Sequence, residues 1–205
     1  MTHANGDVYE GQWRADKAHG FGVFVDAGSD AKYEGYWAED LQHGEGIETW
    51  GPPHRVAATY VGAFYKGKKQ GRGAFRWDDG SSYEGDFVDG QFQGFGRYYF
   101  ADLNKVYEGE FRFGKMEGRG VEAWADGRRY EGDFKGGKKD GEGTFYWPNG
   151  SKYIGSWRNG KQHGLGILTE AETLEKRHGQ WSNGKRLRWV QAHELGHPSP
   201  KRTKA

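Results

Sequence analysis

"YEGDFVDGQFQGFG", Tyr83 to Gly96, is the stretch whose reading decides the fold. It opens with Tyr-x-Gly-x-aromatic and reaches a Gly-x-Gly that begins eleven residues after the tyrosine. The opening recurs as "YEGQW" at Tyr9, "YEGYW" at Tyr33, "YVGAF" at Tyr60, "YEGEF" at Tyr107, "YEGDF" at Tyr130 and "YIGSW" at Tyr153. A worn eighth copy, "RHGQW", starts at Arg177, and successive steps are 24, 27, 23, 24, 23, 23 and 24 residues. The Gly-x-Gly keeps stricter time, beginning at Gly20, Gly44, Gly71, Gly94, Gly118, Gly141 and Gly164. All length variation therefore lies between a Gly-x-Gly and the next tyrosine. A period of this size marks a repeat array in which each unit buries its surface on its neighbours.

Each unit reads as a β-hairpin. The tyrosine segment is a short strand, followed by a turn such as "VDGQ" (Val88 to Gln91) or "RNGK" (Arg158 to Lys161). A second strand such as "GEGTFYW" (Gly141 to Trp147) follows, then a turn such as "PNGS" or "DDGS". Asn-Gly and Asp-Gly between alternating segments are strong hairpin signals. Side chains alternate along a strand, so Tyr83, Gly85 and Phe87 point one way and Glu84 and Asp86 the other. Gly141, Gly143, Phe145 and Trp147 likewise share a face. Glycine weakens a strand unless something approaches its backbone closely, so the rings are expected to lie flat over neighbouring glycines.

Composition agrees. Hydrophobic residues are 34% and mean hydropathy is −1.03, yet aromatic residues reach 16% and there are 36 glycines among 205 residues. That mixture excludes a deep aliphatic core and favours short strands, tight turns and packed rings. A net charge of +1 favours neither nucleic acid nor membrane in bulk. The chain has no cysteine, so no disulfide framework or thiolate chemistry is expected. The opening "MTHANGDVYEG" has no apolar leader core and no stretch approaches a membrane span, which leads to the expectation of a soluble cytoplasmic protein.

These residues and their phase resemble the MORN (membrane occupation and recognition nexus) repeat family over roughly residues 5–182. The resemblance implies an all-β fold, an elongated, twisted, single-layer antiparallel sheet with one hairpin per repeat. Fifteen or sixteen strands at about 4.8 Å spacing would extend on the order of 70 Å. The expected organisation is a repeat array over 1–182, then 183–205 as a capping helix, from about Arg186 to Leu195, and a disordered basic tail. It further implies a non-catalytic scaffold without a cofactor, associated with protein partners or anionic phospholipid, at cytoskeletal or ciliary structures or the cytoplasmic face of a membrane.

Two surfaces are candidates. Tyr83, Phe87, Trp77, Phe100, Tyr107, Phe111, Trp124, Tyr130, Phe134 and Trp147 are expected to line a ring groove suited to a helix or extended peptide, since a sheet without a second layer leaves apolar surface open. Part of every ring must also serve packing within the chain. The second surface is a lysine rim. Lys17, Lys68, Lys115, Lys138, Lys161 and Lys185 fall eight residues after the tyrosine slots, with Lys69 and Lys139 beside them. Such a rim suits anionic lipid heads and the targeting of a phosphoinositide kinase or similar enzyme, at about 1 kcal/mol per residue near a charged membrane. Lysine is equally the ordinary residue after such turns. Open strand edges at the ends make a homo-oligomer a further expectation.

Other features have structural readings. Glu84/Asp86, Glu108/Glu110 and Glu131/Asp133 recur with the repeat and read as a solvated acidic face, not a glycosidase pair. His19, His43 and His163 share the slot before Gly-x-Gly, roughly 10 Å apart between adjacent repeats, too far to share a metal. "TWGPPHRVAATY", Thr49 to Tyr60, carries three extra residues and marks a kink or a contact. Near the end stands "HELGH", His193 to His197, the zinc-peptidase pattern. Only eight residues follow it, none a suitable third ligand, and Pro198 opposes helix at His197. No catalytic or metal site is assigned.

Overall fold

The computed structural model describes residues 1–2, 4–52, 55–191 and 194. His193 and His197, and the tail beyond, lie outside the described residues. The chain divides into two compact units, Met1–Lys115 and Met116–Ala205.

The first unit holds β1 (Val8–Arg14), β2 (Lys17–Asp26), β3 (Ala31–Ala38), β4 (Leu41–Trp50), β5 (Ala58–Tyr65), β6 (Lys68–Trp77), β7 (Ser82–Val88), β8 (Gln91–Phe100) and β9 (Lys105–Arg112). The second holds β10 (Lys115–Trp124, all but its first residue), β11 (Arg129–Lys135), β12 (Lys138–Tyr146), β13 (Lys152–Arg158), β14 (Lys161–Thr169), β15 (Lys176–Ser182) and β16 (Lys185–Trp189). Within each unit every strand pairs antiparallel with the strands before and after it, so spatial order follows chain order. The protein is all-β, as the repeat pattern predicts.

The hairpin tips have one geometry. Ala15-Asp16, Glu39-Asp40, Lys66-Gly67, Asp89-Gly90, Phe113-Gly114, Gly136-Gly137, Asn159-Gly160 and Asn183-Gly184 all have positive φ at both positions. That is the type I′ turn, whose twist matches the strands it joins. Each tip after the first is tied to the repeat before it. Gly90 N–H donates to Lys69 O at 2.9 Å, Gly114 N–H to Phe92 O at 3.0 Å, and Gly160 N–H to Lys139 O at 2.8 Å.

Tyrosine organises the interior. Tyr9, Tyr33, Tyr60, Tyr83, Tyr107, Tyr130 and Tyr153 are all buried. The Tyr83 ring covers the paired glycines Gly85 and Gly96, and the glycines flanking Tyr9, Tyr33, Tyr60, Tyr130 and Tyr153 meet their rings in the same way, Gly22 under Tyr9 and Gly143 under Tyr130 among them. The expectation of rings laid on glycine backbone is met. Beyond the glycine the register shifts at a bulge, which leaves a strand carbonyl without a ladder partner. The tyrosine hydroxyl fills that need: Tyr60 donates to Ala63 O, Tyr83 to Asp86 O and Tyr130 to Asp133 O, each at 3.0 Å.

The aromatic residue four places on packs edge-to-face against its own tyrosine and the tyrosine of the preceding repeat. Phe87 lies 5.3 Å from Tyr83 and 5.0 Å from Tyr60, and Trp157 lies 5.5 Å from Tyr153 and 5.1 Å from Tyr130. Such pairs contribute about 0.5–1.5 kcal/mol each beyond burial.

One expectation is corrected. Where a helix was expected from about Arg186, the chain forms β16, with Gly179 paired to Trp189 and Trp181 to Arg186. An uncovered β15 would present unpaired backbone groups, and this strand satisfies them.

Candidate functional site: a strip of half-buried rings and a row of hairpin tips

The ten rings expected to form a groove separate into two sets. Tyr83, Phe87, Tyr107, Phe111, Tyr130 and Phe134 are buried and spend their faces on the packing just described. Trp77, Phe100, Trp124 and Trp147 are half-buried. They belong to a second row near the ends of the even-numbered strands, which also includes residues the sequence reading left out. In the first unit Trp50 stacks on Phe75 at 5.3 Å, Phe75 meets Trp77 at 4.5 Å, Trp77 meets Tyr98 at 5.5 Å, and Tyr98 meets Phe100 at 4.2 Å. All five are half-buried. Lys105 closes the row, its ammonium 4.3 Å from the centre of the Phe100 ring. In the second unit Phe145 lies 6.0 Å from Trp124 and 4.9 Å from Trp147. The signal that finds this row is alternation from the second glycine of Gly-x-Gly, as in Gly73, Phe75, Trp77 and Gly96, Tyr98, Phe100.

The lysines also divide. Lys17 pairs with Glu39 at 2.8 Å and Lys68 with Asp89 at 3.0 Å, each partner lying in a hairpin tip. Lys115, Lys138, Lys161 and Lys185 are exposed at the strand starts. Lys69 and Lys139 turn inward. Lys69 bonds Glu48 at 2.5 Å, with both side chains 17% exposed, and its ammonium stands 4.6 Å from the Trp50 ring centre, 5.1 Å from Tyr60 and 5.5 Å from Phe64. Lys139 bonds Glu122 and stands 4.8 Å from the ring of Trp124 and 5.1 Å from that of Tyr130. Ion pairing with an acid and contact with ring faces compensate these ammonium groups for lost water.

The carboxylate ladder is structural. Asp86 accepts the Phe95 N–H at 3.1 Å and Asp133 the Glu142 N–H at 2.8 Å. Arg97 holds Glu108 at 2.8 Å and Arg119 holds Asp133 at 3.3 Å. The slot of His19, His43 and His163 is a turn-capping position. Its equivalents Gln70, Gln93, Glu117 and Asp140 accept the first N–H of the next hairpin tip. His43 instead packs at 5.3 Å from the Tyr65 ring. The long loop after β4 is tied back by Ala57 N–H to Trp50 O at 2.7 Å and by an Arg55–Asp78 ion pair at 2.7 Å.

Burial raises the phenol pKa of Tyr33, Tyr60, Tyr83 and Tyr130, with neighbouring carboxylates adding to it; Tyr153 is pushed up to about 12 by burial and then Glu142. These groups stay neutral hydrogen-bond donors at neutral pH.

Fold and repeat geometry define an array of tandem β-hairpins. The MORN repeat family model matches residues 9–30, 33–52, 60–82, 83–105, 107–128, 130–152, 153–169 and 178–186, and the chain belongs to that family. Comparison with curated proteins found no match. Among solved structures, it is similar to a mutant of the TCP10 domain of Danio rerio CPAP at 14% identity and TM-score 0.47, covering 93% of this chain and 86% of that one. The wild-type domain in complex with a peptide of Danio rerio STIL matches at 12% identity and TM-score 0.40, over 91% and 100%. The SAS-4 (dCPAP) TCP domain of Drosophila melanogaster, in complex with a proline-rich motif of Ana2 (dSTIL), matches at 13% and TM-score 0.34, over 83% and 90%.

Proposed function

We propose that this protein is a non-catalytic scaffold that binds a protein partner, as a helix or extended peptide, along its half-buried rings, at cytoskeletal or ciliary structures. The observation that carries the reading is the contiguous row Trp50, Phe75, Trp77, Tyr98 and Phe100, whose rings keep surface open to solvent while the tyrosine row beneath does the packing. Rows of aromatic surface of this kind suit partner anchoring. The location rests on membership of the MORN family.

The test is a pull-down with the full chain and its Trp77→Ser/Phe100→Ser variant, with circular dichroism to establish that both are folded. The reading requires the partner to be lost by the folded variant. A partner held equally by both excludes the strip.

Lipid contact through the lysine rim is the weaker alternative, because Lys17, Lys68, Lys69 and Lys139 already hold carboxylates. Co-sedimentation with phosphatidylserine vesicles across a salt series tests it through Lys138→Glu/Lys161→Glu.

A further inference from the structure

We propose that the first repeat carries an ammonium-binding site: the cavity among Tyr9, Trp13, Phe24 and Trp37 takes the side chain of a lysine presented by a partner peptide. The site is independent of the half-buried ring strip.

Across each hairpin the residue opposite the second aromatic occupies one recurring slot. It is Lys69 opposite Phe64, Phe92 opposite Phe87 and Lys139 opposite Phe134. In the first hairpin the residue opposite Trp13 is Ala18. Phe92 shows what the slot is shaped to hold. It stacks on Tyr83 at 3.8 Å and meets Phe87, Tyr98 and Phe111 at 5.4, 6.2 and 6.0 Å. The counterparts of those four rings in the first repeat are Tyr9, Trp13, Phe24 and Trp37. With only a methyl group at Ala18, they bound a cavity of about 590 Å³ that opens to solvent.

Two observations specify a cation. The fold itself places lysine in this slot twice, and both times the ammonium sits against ring faces with a carboxylate in contact. The first-repeat cavity also has its own carboxylates, Asp16 and Asp40. Both come from the second position of a hairpin tip, where the tips flanking the Phe92 slot carry Gly90 and Gly114. Asp40 is held in place by accepting the Ala18 N–H at 2.7 Å. Two cations stand near: Lys17 is bound to Glu39, and the Met1 ammonium, which also lines the cavity, donates to Tyr9 O at 2.5 Å, so each has an acceptor of its own. Aromatic faces with adjacent carboxylates select an alkylammonium over an alkyl chain of the same length.

The test follows the indole N–H signals of Trp13 and Trp37 in the full chain during titration with acetyl-Gly-Lys-Gly-amide and its norleucine counterpart. The expected result is a saturable shift with the lysine peptide and binding about tenfold weaker with norleucine. Ala18→Lys, whose own side chain would fill the slot as Lys69 does, should abolish the shift. Asp16→Asn, which leaves the cavity open, should weaken the lysine peptide but not the norleucine peptide. Equal affinity for the two peptides, or undiminished binding to both variants, would overturn the assignment. Loss of a partner on Trp77→Ser/Phe100→Ser should leave this titration unchanged, so the two proposals fail separately.

Discussion

Tyr83 lies across Gly96 so closely that a Cβ on the glycine would stand 2.6 Å from Cε2 of the ring and 2.5 Å from its hydroxyl oxygen. Gly96, the second glycine of its Gly-x-Gly, is thus a packing residue, and the first answers a different demand: Gly94 has φ +65. Gly96→Ala forces either the ring or the strand to move, and overpacking of this kind costs about 1–3 kcal/mol. A urea titration followed by tryptophan fluorescence should register that loss.

Tyr83→Phe keeps the ring over the glycines and removes only the donor to Asp86 O. The bulge carbonyl then lacks its side-chain partner, with an expected loss of about 1 kcal/mol. The comparison with Gly96→Ala in the same titration separates the hydroxyl's role from the ring's.

Lys139 and Glu122 form a pair with side chains 14% and 3% exposed. Removing one member, as in Lys139→Met, takes the ammonium away from a buried carboxylate and should cost about 3–5 kcal/mol. Replacing both by phenylalanine, the residue found at the corresponding positions Phe92 and Phe75, should restore most of that loss. A double-mutant cycle read by thermal denaturation measures it. An additive double variant would mean that the charges are not coupled.

The buried tyrosines set the alkaline limit. Their folded-state pKa values lie above the unfolded value near 10, so the unfolded chain releases protons first as pH rises. Their contribution to stability is whole below about pH 10 and falls as pH climbs through the folded values. Each such ring removes about 1.4 kcal/mol per pH unit in that window. Phenolate absorbance during an alkaline titration should rise late and together with loss of the folded signal; early, independent ionisation would contradict the burial.

Much of this is legible in the residues. The Tyr-x-Gly-x-aromatic and Gly-x-Gly phasing predicts the hairpins, and ring-over-glycine packing follows from alternation. What alternation does not reveal is which ring on a shared face the next repeat will cover. Phe87 and Trp77 look equivalent in sequence, yet Tyr60 packs against Phe87, while Trp77 retains open surface. The doubled lysines mislead for a related reason. Lys68 and Lys69 are neighbours in the chain but face opposite ways, so one stays in solvent and the other enters a ring cluster. From Arg186, where a capping helix is the expectation, the hydrogen-bonding demand of an open edge outweighs it and a strand forms.

The ties between hairpin tips have a consequence for how such a chain can change its length. Each tip after the first donates to a backbone carbonyl of the repeat before it, and a backbone carbonyl is the same acceptor whatever side chain accompanies it. Excision of residues 83–106 would bring the β6 end onto the next tyrosine strand with the same glycine pairing and the same tip-to-carbonyl bond. Chains of this kind are thus free to lengthen or shorten in whole-hairpin quanta, each junction being indifferent to how many precede it.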